Sequence, residues 1–270
     1  MSVSELYPLY PSYLSTVVSV LRGAGCVFAE DEADLLFSTA RDRAELVAMV
    51  DRRVAGLPLE HVLGWAEFRG MRMVVDPGVF VPRRRSEFLV AQAAALAPDR
   101  PVVVDLCCGS GALGTALLHA LGAGELHAAD IEPAAVRCAR RNLETVGGRV
   151  HHGDLYDPLP AGLAGRVDVL IVNAPYVPTG EIGLLPPEAR DHEPRVALDG
   201  GADGLDVHRR VAAEAARWLA PGGALLIETS ERQARSAEAL FTCHGLETRV
   251  AVCDDLGATV VIGTRPPHTA

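Results

Sequence analysis

The sequence predicts an α/β fold, a doubly wound and mostly parallel sheet with helices on both faces, preceded by a small helical unit and a β-hairpin. Three observations predict it. From Ser86 onward, short apolar runs alternate with amphipathic stretches, which is the pattern of repeated strand–helix units. Runs such as Val102–Leu106 and Val167–Val172 are apolar at nearly every residue instead of every second one, as strands covered on both faces are. The first of these runs ends in a glycine-rich turn that opens a helix, the place where such sheets hold nucleotides.

The elements follow in order. Short helices are expected over 14–21, 30–40 and 43–54, punctuated by Gly23, Gly25 and Gly56. Residues 65–81 carry β-formers around Asp76-Pro77-Gly78, which predicts a hairpin with its turn there. A helix over 86–96 then leads to a strand at Val102–Leu106, a helix at Ala112–Leu121, a strand over 125–129 and a helix over 132–145. Strands follow at Arg149–His152 and Val167–Val172, then a helix over 205–219, a strand over 224–228, a helix over 232–243, and strands over 248–252 and 258–262. No helix separates the last two strands, so the final one is expected to run antiparallel at or near a sheet edge. The expected division is a helical N-terminal unit over 1–64, a hairpin linker over 65–84 and the sheet domain over 85–270.

Composition removes whole classes of chemistry. All 25 basic residues are arginine. Without a lysine amine there is no Schiff base, no pyridoxal-phosphate attachment and no ordinary Walker A phosphate loop. A net charge of −10 argues against a general nucleic-acid binder, which draws affinity from neutralising phosphates. No apolar run approaches the roughly 18 to 20 residues that span a bilayer, and the first residues lack the pattern of a secretory signal. The reading is a cytoplasmic protein with no membrane partner. The six cysteines form neither a disulfide framework nor a CxxC pair, and no metal is expected.

Chemistry is expected first at Asp105-Leu106-Cys107-Cys108-Gly109-Ser110-Gly111-Ala112-Leu113-Gly114. Glycines there let the backbone approach a ligand closely. The letters also contain the GxGxxG pattern of NAD enzymes, which is weak as a bare motif. Asp105, just before the turn, shifts the reading toward S-adenosylmethionine, because a carboxylate attracts the cationic amino-acid part of that ligand and repels a pyrophosphate. Asp130, followed by Ile131 at the end of the second strand of the alternation, is placed to bind ribose hydroxyls. Asp154, followed by Leu155 after the third, can accept a hydrogen bond from the adenine amine. Each aspartate taken alone reads equally as a helix cap or turn residue.

The fourth strand ends in Asn173-Ala174-Pro175-Tyr176, in a chain with only two asparagines. Asn and Pro are ordinary turn residues. Beside a methyl donor they do more: the Asn173 side-chain carbonyl and the Ala174 backbone carbonyl can accept hydrogen bonds from a planar NH2 group and favour the charge its nitrogen gains. Tyr176 can stack on that group.

Asn173-Ala174-Pro175-Tyr176 is similar to the Asn-Pro-Pro-Tyr signature of methyltransferases acting on planar NH2 groups. Upstream, Pro58-Leu59-Glu60-His61-Val62-Leu63-Gly64 with Glu67-Phe68 and Gly70, and Val79-Phe80-Val81-Pro82-Arg83-Arg84-Arg85-Ser86-Glu87, resemble the linker and hairpin of HemK/PrmC-type protein-glutamine N5-methyltransferases. The segment Glu193-Pro194-Arg195-Val196-Ala197-Leu198-Asp199-Gly200-Gly201 is also like that family, and the match runs over roughly the whole chain after Leu14. The resemblance implies a Rossmann-like, seven-stranded class I S-adenosylmethionine-dependent methyltransferase domain acting on the glutamine of the Gly-Gly-Gln loop of peptide-chain release factors. It implies an acceptor site at Asn173, Ala174, Pro175 and Tyr176, and a cofactor site at Asp105, Cys107, Gly109, Gly111, Asp130, Ile131, Asp154, Leu155 and Asn173.

The departures define a divergent branch. Ala174 stands where the family usually has proline, Cys107 replaces the first glycine of the cofactor turn, and Arg84-Arg85-Ser86-Glu87 stands for proline, acid, threonine, glutamate. Cys107 fits only where φ stays negative. Alternatives remain open at this point: N-methylation of a small molecule, adenine methylation, a cofactor-binding module without turnover and an NAD dehydrogenase. The connection 177–204 reads either as a lid or as a surface loop. Arg83 to Arg85 read as a solvated charge run or a grip on an anionic partner. Tyr7, Tyr10 and Tyr13 are expected to pack or fray at the terminus.

Overall fold

The computed structural model describes residues 10–267, with side chains from Tyr13 onward. Tyr7 and the side chain of Tyr10 therefore lie outside the described residues. Three helices come first: α1 (Tyr10–Gly23), α2 (Ala29–Thr39) and α3 (Arg43–Val54). Their apolar faces meet around Leu21, Ala33, Leu36, Leu46 and Met49. Asp42 caps α3 by accepting from the Glu45 amide at 2.9 Å, one of the donors a helix start leaves orphaned. Tyr13 packs against this cluster beneath the Arg43 guanidinium. A one-turn helix, α4 (Leu59–Leu63), ends at Gly64, whose φ of 81° turns the chain into β1.

The hairpin is present, but its turn is elsewhere. Strands β1 (Trp65–Phe68) and β2 (Met71–Val74) pair antiparallel with Phe68 opposite Met71, so the two-residue turn is Arg69-Gly70. Both residues have positive φ, 51° and 74°, as a turn matched to the strand twist requires. Asp76-Pro77-Gly78 forms a later turn, closed by the Val79 amide on the Asp76 carbonyl at 3.1 Å, which brings the chain back to His61.

A 3-10 turn, Arg84–Ser86, leads into α5 (Glu87–Leu96). Then β3 (Val102–Leu106), α6 (Ala112–Leu121), β4 (Glu125–Asp130), α7 (Pro133–Glu144), β5 (Arg149–His152) and β6 (Val167–Val172) alternate as expected. The connection 177–204 is not structureless: it contains a 3-10 stretch at Thr179–Leu184, the helix α8 (Pro187–His192) and another 3-10 turn at Arg195–Ala197. The chain finishes with α9 (Asp206–Trp218), β7 (Leu219–Thr229), α10 (Glu231–Cys243), β8 (Glu247–Cys253) and β9 (Ala258–Thr264).

The sheet order is β5-β4-β3-β6-β7-β9-β8. Strands β5 to β7 are mutually parallel, and β9 runs antiparallel to both β7 and β8. The last strand thus lies one position in from the edge, which β8 occupies. Helices α5, α6 and α7 cover one face through Leu89, Leu117 and Leu143. Helices α9 and α10 cover the other, through Val211, Ala215, Ala237 and Phe241. The chain winds outward from β3 to β5, then returns to lay β6 on the opposite side of β3. That reversal opens a crevice at the carboxyl ends of β3 and β6. Asn142, the other asparagine of the chain, fastens the hairpin to the glycine turn: it accepts from the Val74 amide and donates to the carbonyls of Val74 and Ser110, all within 2.9 Å. Among the described residues no helix is long and apolar enough to cross a membrane.

Candidate active site

The crevice holds a cavity of about 450 Å³, within the roughly 300–1,000 Å³ common for small-molecule sites. Its floor follows the strand order. Asp154 and Leu155 come from the end of β5, Asp130 and Ile131 from β4, Cys107 and Gly109 from the turn after β3, and Asn173 to Tyr176 from β6. A ligand lying along this row meets two carboxylates at one end and the Asn173 segment at the other.

Asp130 is bound by the backbone on both oxygens: Oδ2 accepts from the Gly109 amide at 2.8 Å and Oδ1 from the Glu132 amide at 2.9 Å. These bonds fix it in one orientation on the cavity wall it lines, and each oxygen keeps a further lone pair. Burial raises its pKa despite those bonds. Asp154 gives Oδ2 to Arg210, at 2.7 Å, and its Oδ1 makes no hydrogen bond among the described residues.

Two cofactor residues expected from the sequence are placed differently. Asp105 is 1% exposed and absent from the cavity wall; it lies under the turn, where Oδ2 accepts from the Gly114 amide at 2.9 Å. Burial pushes its carboxyl up to about 7. Through that bond it shapes the turn and the start of α6, and its Oδ1 makes no hydrogen bond among the described residues. Gly111 is likewise off the wall: a Cβ there would come within 2.3 Å of Leu143, so the glycine serves close packing between α6 and α7. Gly109 does line the cavity. Cys107 lines it too, with φ of 54°, the left-handed conformation its side chain disfavours. Burial raises its thiol, so the sulfur sits there as an apolar contact and not as a thiolate.

At the other end, the Asn173 amide nitrogen points to Ser86 Oγ at 3.4 Å. Its Oδ1 and the Ala174 carbonyl make no hydrogen bond among the described residues. Two adjacent acceptors are therefore open at the strand end. Tyr176 is held on three sides: its carbonyl accepts from Gln233 at 2.9 Å, its hydroxyl accepts from Arg85 Nη2 at 2.7 Å, and that hydroxyl donates to Glu228 Oε1 at 3.2 Å. Burial, and then the charge of Glu228, push the phenol pKa well up, so it remains a neutral donor. Arg85 also reaches Glu228 directly at 3.1 Å. Glu228 is 1% exposed, and its Oε2 has no partner among the described residues.

The roof comes from 177–204 and the segment before α5. Glu193, with a fully buried side chain, accepts from the Val81 amide at 3.1 Å and from Arg83 at 2.6 Å. Arg53 of α3 holds Glu32 with both arms of its guanidinium and reaches Glu188 of α8 at 2.6 Å. Arg83 and Arg85 are thus wall residues tied to buried glutamates, while Arg84 is exposed. Sequence reasoning reached Glu193 only as part of a family-like segment, without a role, and missed Glu228, Arg210 and Val207. Glu193, Glu228 and Arg210 each pair with a residue far away in the chain, which no local pattern reveals.

The donor set fits an adenosyl ligand with a positive centre. Among the described residues, the arginines of the wall, Arg83, Arg85 and Arg210, are each engaged by a carboxylate, which leaves no cation beside the glycine turn for a pyrophosphate. The model of the methyltransferase small domain matches residues 70–183. A methyltransferase from Pyrococcus furiosus superposes with a TM-score of 0.56 at 15% identity, over 83% of this chain and 100% of that one. Fold and site together define a Rossmann-like, S-adenosylmethionine-dependent methyltransferase. A release factor glutamine methyltransferase of Geobacter sulfurreducens is 37% identical over 219 residues, 80% of this chain and 76% of that protein. A 4-amino-L-phenylalanine/4-methylamino-L-phenylalanine methyltransferase of Streptomyces pristinaespiralis is 38% identical over 203 residues, 73% and 69% of the two chains. The chain belongs to the release factor glutamine methyltransferase family.

Proposed function

We propose that this enzyme methylates N5 of a glutamine side chain in the Gly-Gly-Gln loop of a peptide-chain release factor. The observation that carries the reading is the pair of open acceptors at the end of β6, Asn173 Oδ1 and the Ala174 carbonyl, beside the fixed ring of Tyr176. An amide nitrogen is a poor nucleophile because its lone pair is delocalised. Two carbonyl oxygens accepting its two N–H bonds orient the nitrogen and oppose the positive charge it gains, with no reorganisation at the moment of reaction. Packing of Tyr176 on the planar group restricts it further. S-adenosylmethionine supplies an electrophilic methyl group when bound; Asp130, Ile131, Asp154, Leu155, Cys107 and Gly109 would hold it.

The unit over 1–64 is read as the substrate-recognition unit, 65–84 as the linker and 85–270 as the catalytic domain. The Arg53–Glu188 bond, between α3 and the cavity roof, supports a role for the first unit in shaping the acceptor entrance. A release-factor partner places the enzyme in the cytoplasm. A second reading is N-methylation of an amino-acid arylamine. The similarity to the 4-amino-L-phenylalanine enzyme favours it, together with the less rigid Ala174 in the signature. The two are separated by incubating the protein and S-adenosylmethionine with purified release factor or with 4-amino-L-phenylalanine, followed by mass spectrometry. One methyl group on the Gly-Gly-Gln glutamine supports the first. Turnover of the amino acid alone overturns it in favour of the second.

A further inference from the structure

The adenine end of the cavity carries an arginine that no motif singles out. Helix α9 presents Val207 and Arg210, three residues apart and so on one face, to the cavity wall. Arg210 Nη2 bonds Oδ2 of Asp154 at 2.7 Å and leaves Oδ1 without a partner among the described residues. Both side chains of this pair are exposed, 55% and 39%, but the segments that carry them are fastened to each other. Two residues after Asp154, the buried Tyr156 donates its hydroxyl to the Val211 carbonyl at 2.9 Å and stacks on Trp218, with ring centroids 5.5 Å apart. Helix α9 and the segment after β5 are therefore cross-linked at neighbouring residues, once through backbone and once through charge. That anchoring keeps Arg210 within reach of Asp154, so the ion pair itself is what orients the carboxylate.

Electrostatics gives the arrangement a second effect. Asp130 and Asp154 both line the wall, and Asp105 lies just beneath it. The guanidinium offsets the charge of the outermost carboxylate without closing its second oxygen, so a neutral purine can dock against an acceptor that is already oriented. The apolar neighbours on that wall, Cys107, Leu155 and Val207, suit the faces of such a ring.

We infer that Arg210 is a positioning residue of the cofactor site: by occupying Asp154 Oδ2 it fixes Oδ1 as the acceptor for an exocyclic amine and so sets a preference for a 6-amino over a 6-oxo purine. The inference rests on the assignment of Asp154 to the adenine amine. The test is calorimetric titration of the full chain with S-adenosyl-L-homocysteine and with its deaminated analogue S-inosyl-L-homocysteine. The parent binds the first more tightly. Arg210→Met weakens that ligand roughly five- to tenfold, the effect of one misplaced hydrogen-bond acceptor. The same change leaves the inosyl analogue within about twofold, so the preference collapses, and Arg210→Lys restores part of it. In an Asp154→Ala background, Arg210→Met has no further effect. Equal weakening of both ligands, an additive loss in the double variant, or unchanged affinity in Arg210→Met would each overturn the inference while leaving the cofactor site standing. A parent that binds neither ligand, with a normal urea unfolding midpoint, would overturn the cofactor-site reading and the inference with it.

Discussion

The two ends of the cavity are built by different means. At the cofactor end the chain works through its backbone: Asp130 is held by the amide of Glu132, two residues on, and by that of Gly109 in the turn after the neighbouring strand, and the glycine turn leads straight into α6. At the acceptor end it works over long distances: Arg83 meets Glu193 across 110 residues, Arg85 meets Glu228 across 143, and Arg53 meets Glu188 across 135. A site made of backbone turns changes little unless the turn itself is lost. A site made of paired side chains can be altered at single positions, which suits an end that must match one acceptor among many.

The largest expected effect tests that separation directly. Asn173→Ala should lower methyl transfer by roughly two to three orders of magnitude, as loss of one oriented polar group can, while calorimetry shows S-adenosyl-L-homocysteine binding nearly unchanged. A comparable loss of cofactor binding would mean the two ends are not independent.

Asp105 supplies the next test, at the local end. Its folded pKa, about 7, lies above the ordinary value of 3.8. Between those values the native state holds a proton that the unfolded chain has lost, so stability falls as pH rises from about 4 to about 7. Asp105→Asn has no such dependence. The stability difference between variant and parent, from urea unfolding, should move in the variant's favour by on the order of 4 kcal/mol between pH 4 and pH 8.

Arg85→Met should cost about 2 kcal/mol in the same assay, because it strips the buried Glu228 of its charge partner. Adding Glu228→Gln should recover most of that stability, because the unpaired charge is gone, but not the acceptor KM, since the Tyr176 hydroxyl has lost its bond from Arg85. Recovery of both would break the claim that the long-range pair positions the ring. The smallest effect concerns backbone alone: Cys107→Gly should be more stable than Cys107→Ala by about 1 kcal/mol, because only glycine adopts φ near 54° without strain.

The same division explains what could be read from the sequence. Strands covered on both faces must be continuously apolar, so Val102–Leu106 and Val167–Val172 announce themselves, and the glycine turn and Asn173 follow from their ends. The contact of Asp105 with Gly114 was not legible, because adjacency to a turn says nothing about which amide a carboxylate oxygen meets. The hairpin turn was misplaced because Asp-Pro-Gly is a stronger turn signal than Arg-Gly, and nothing local shows that Arg69 adopts positive φ. The roles of Glu193, Glu228 and Arg210 were invisible because their partners are brought near only by the completed fold.

The place of β9 bears on how the protein is made. On that side of the sheet β7 pairs only with β9, and β8 has β9 as its sole neighbour, so the outer three strands join only when Ala258–Thr264 arrive. During synthesis, Leu225 to Ile227 of β7 are paired only with β6, their outer edge stays open, and β8 has nothing to join. A nascent chain lacking β9 is therefore a template for strand addition by another copy, and ribosome stalling shortly before the last strand would be expected to yield aggregates in place of a smaller folded enzyme.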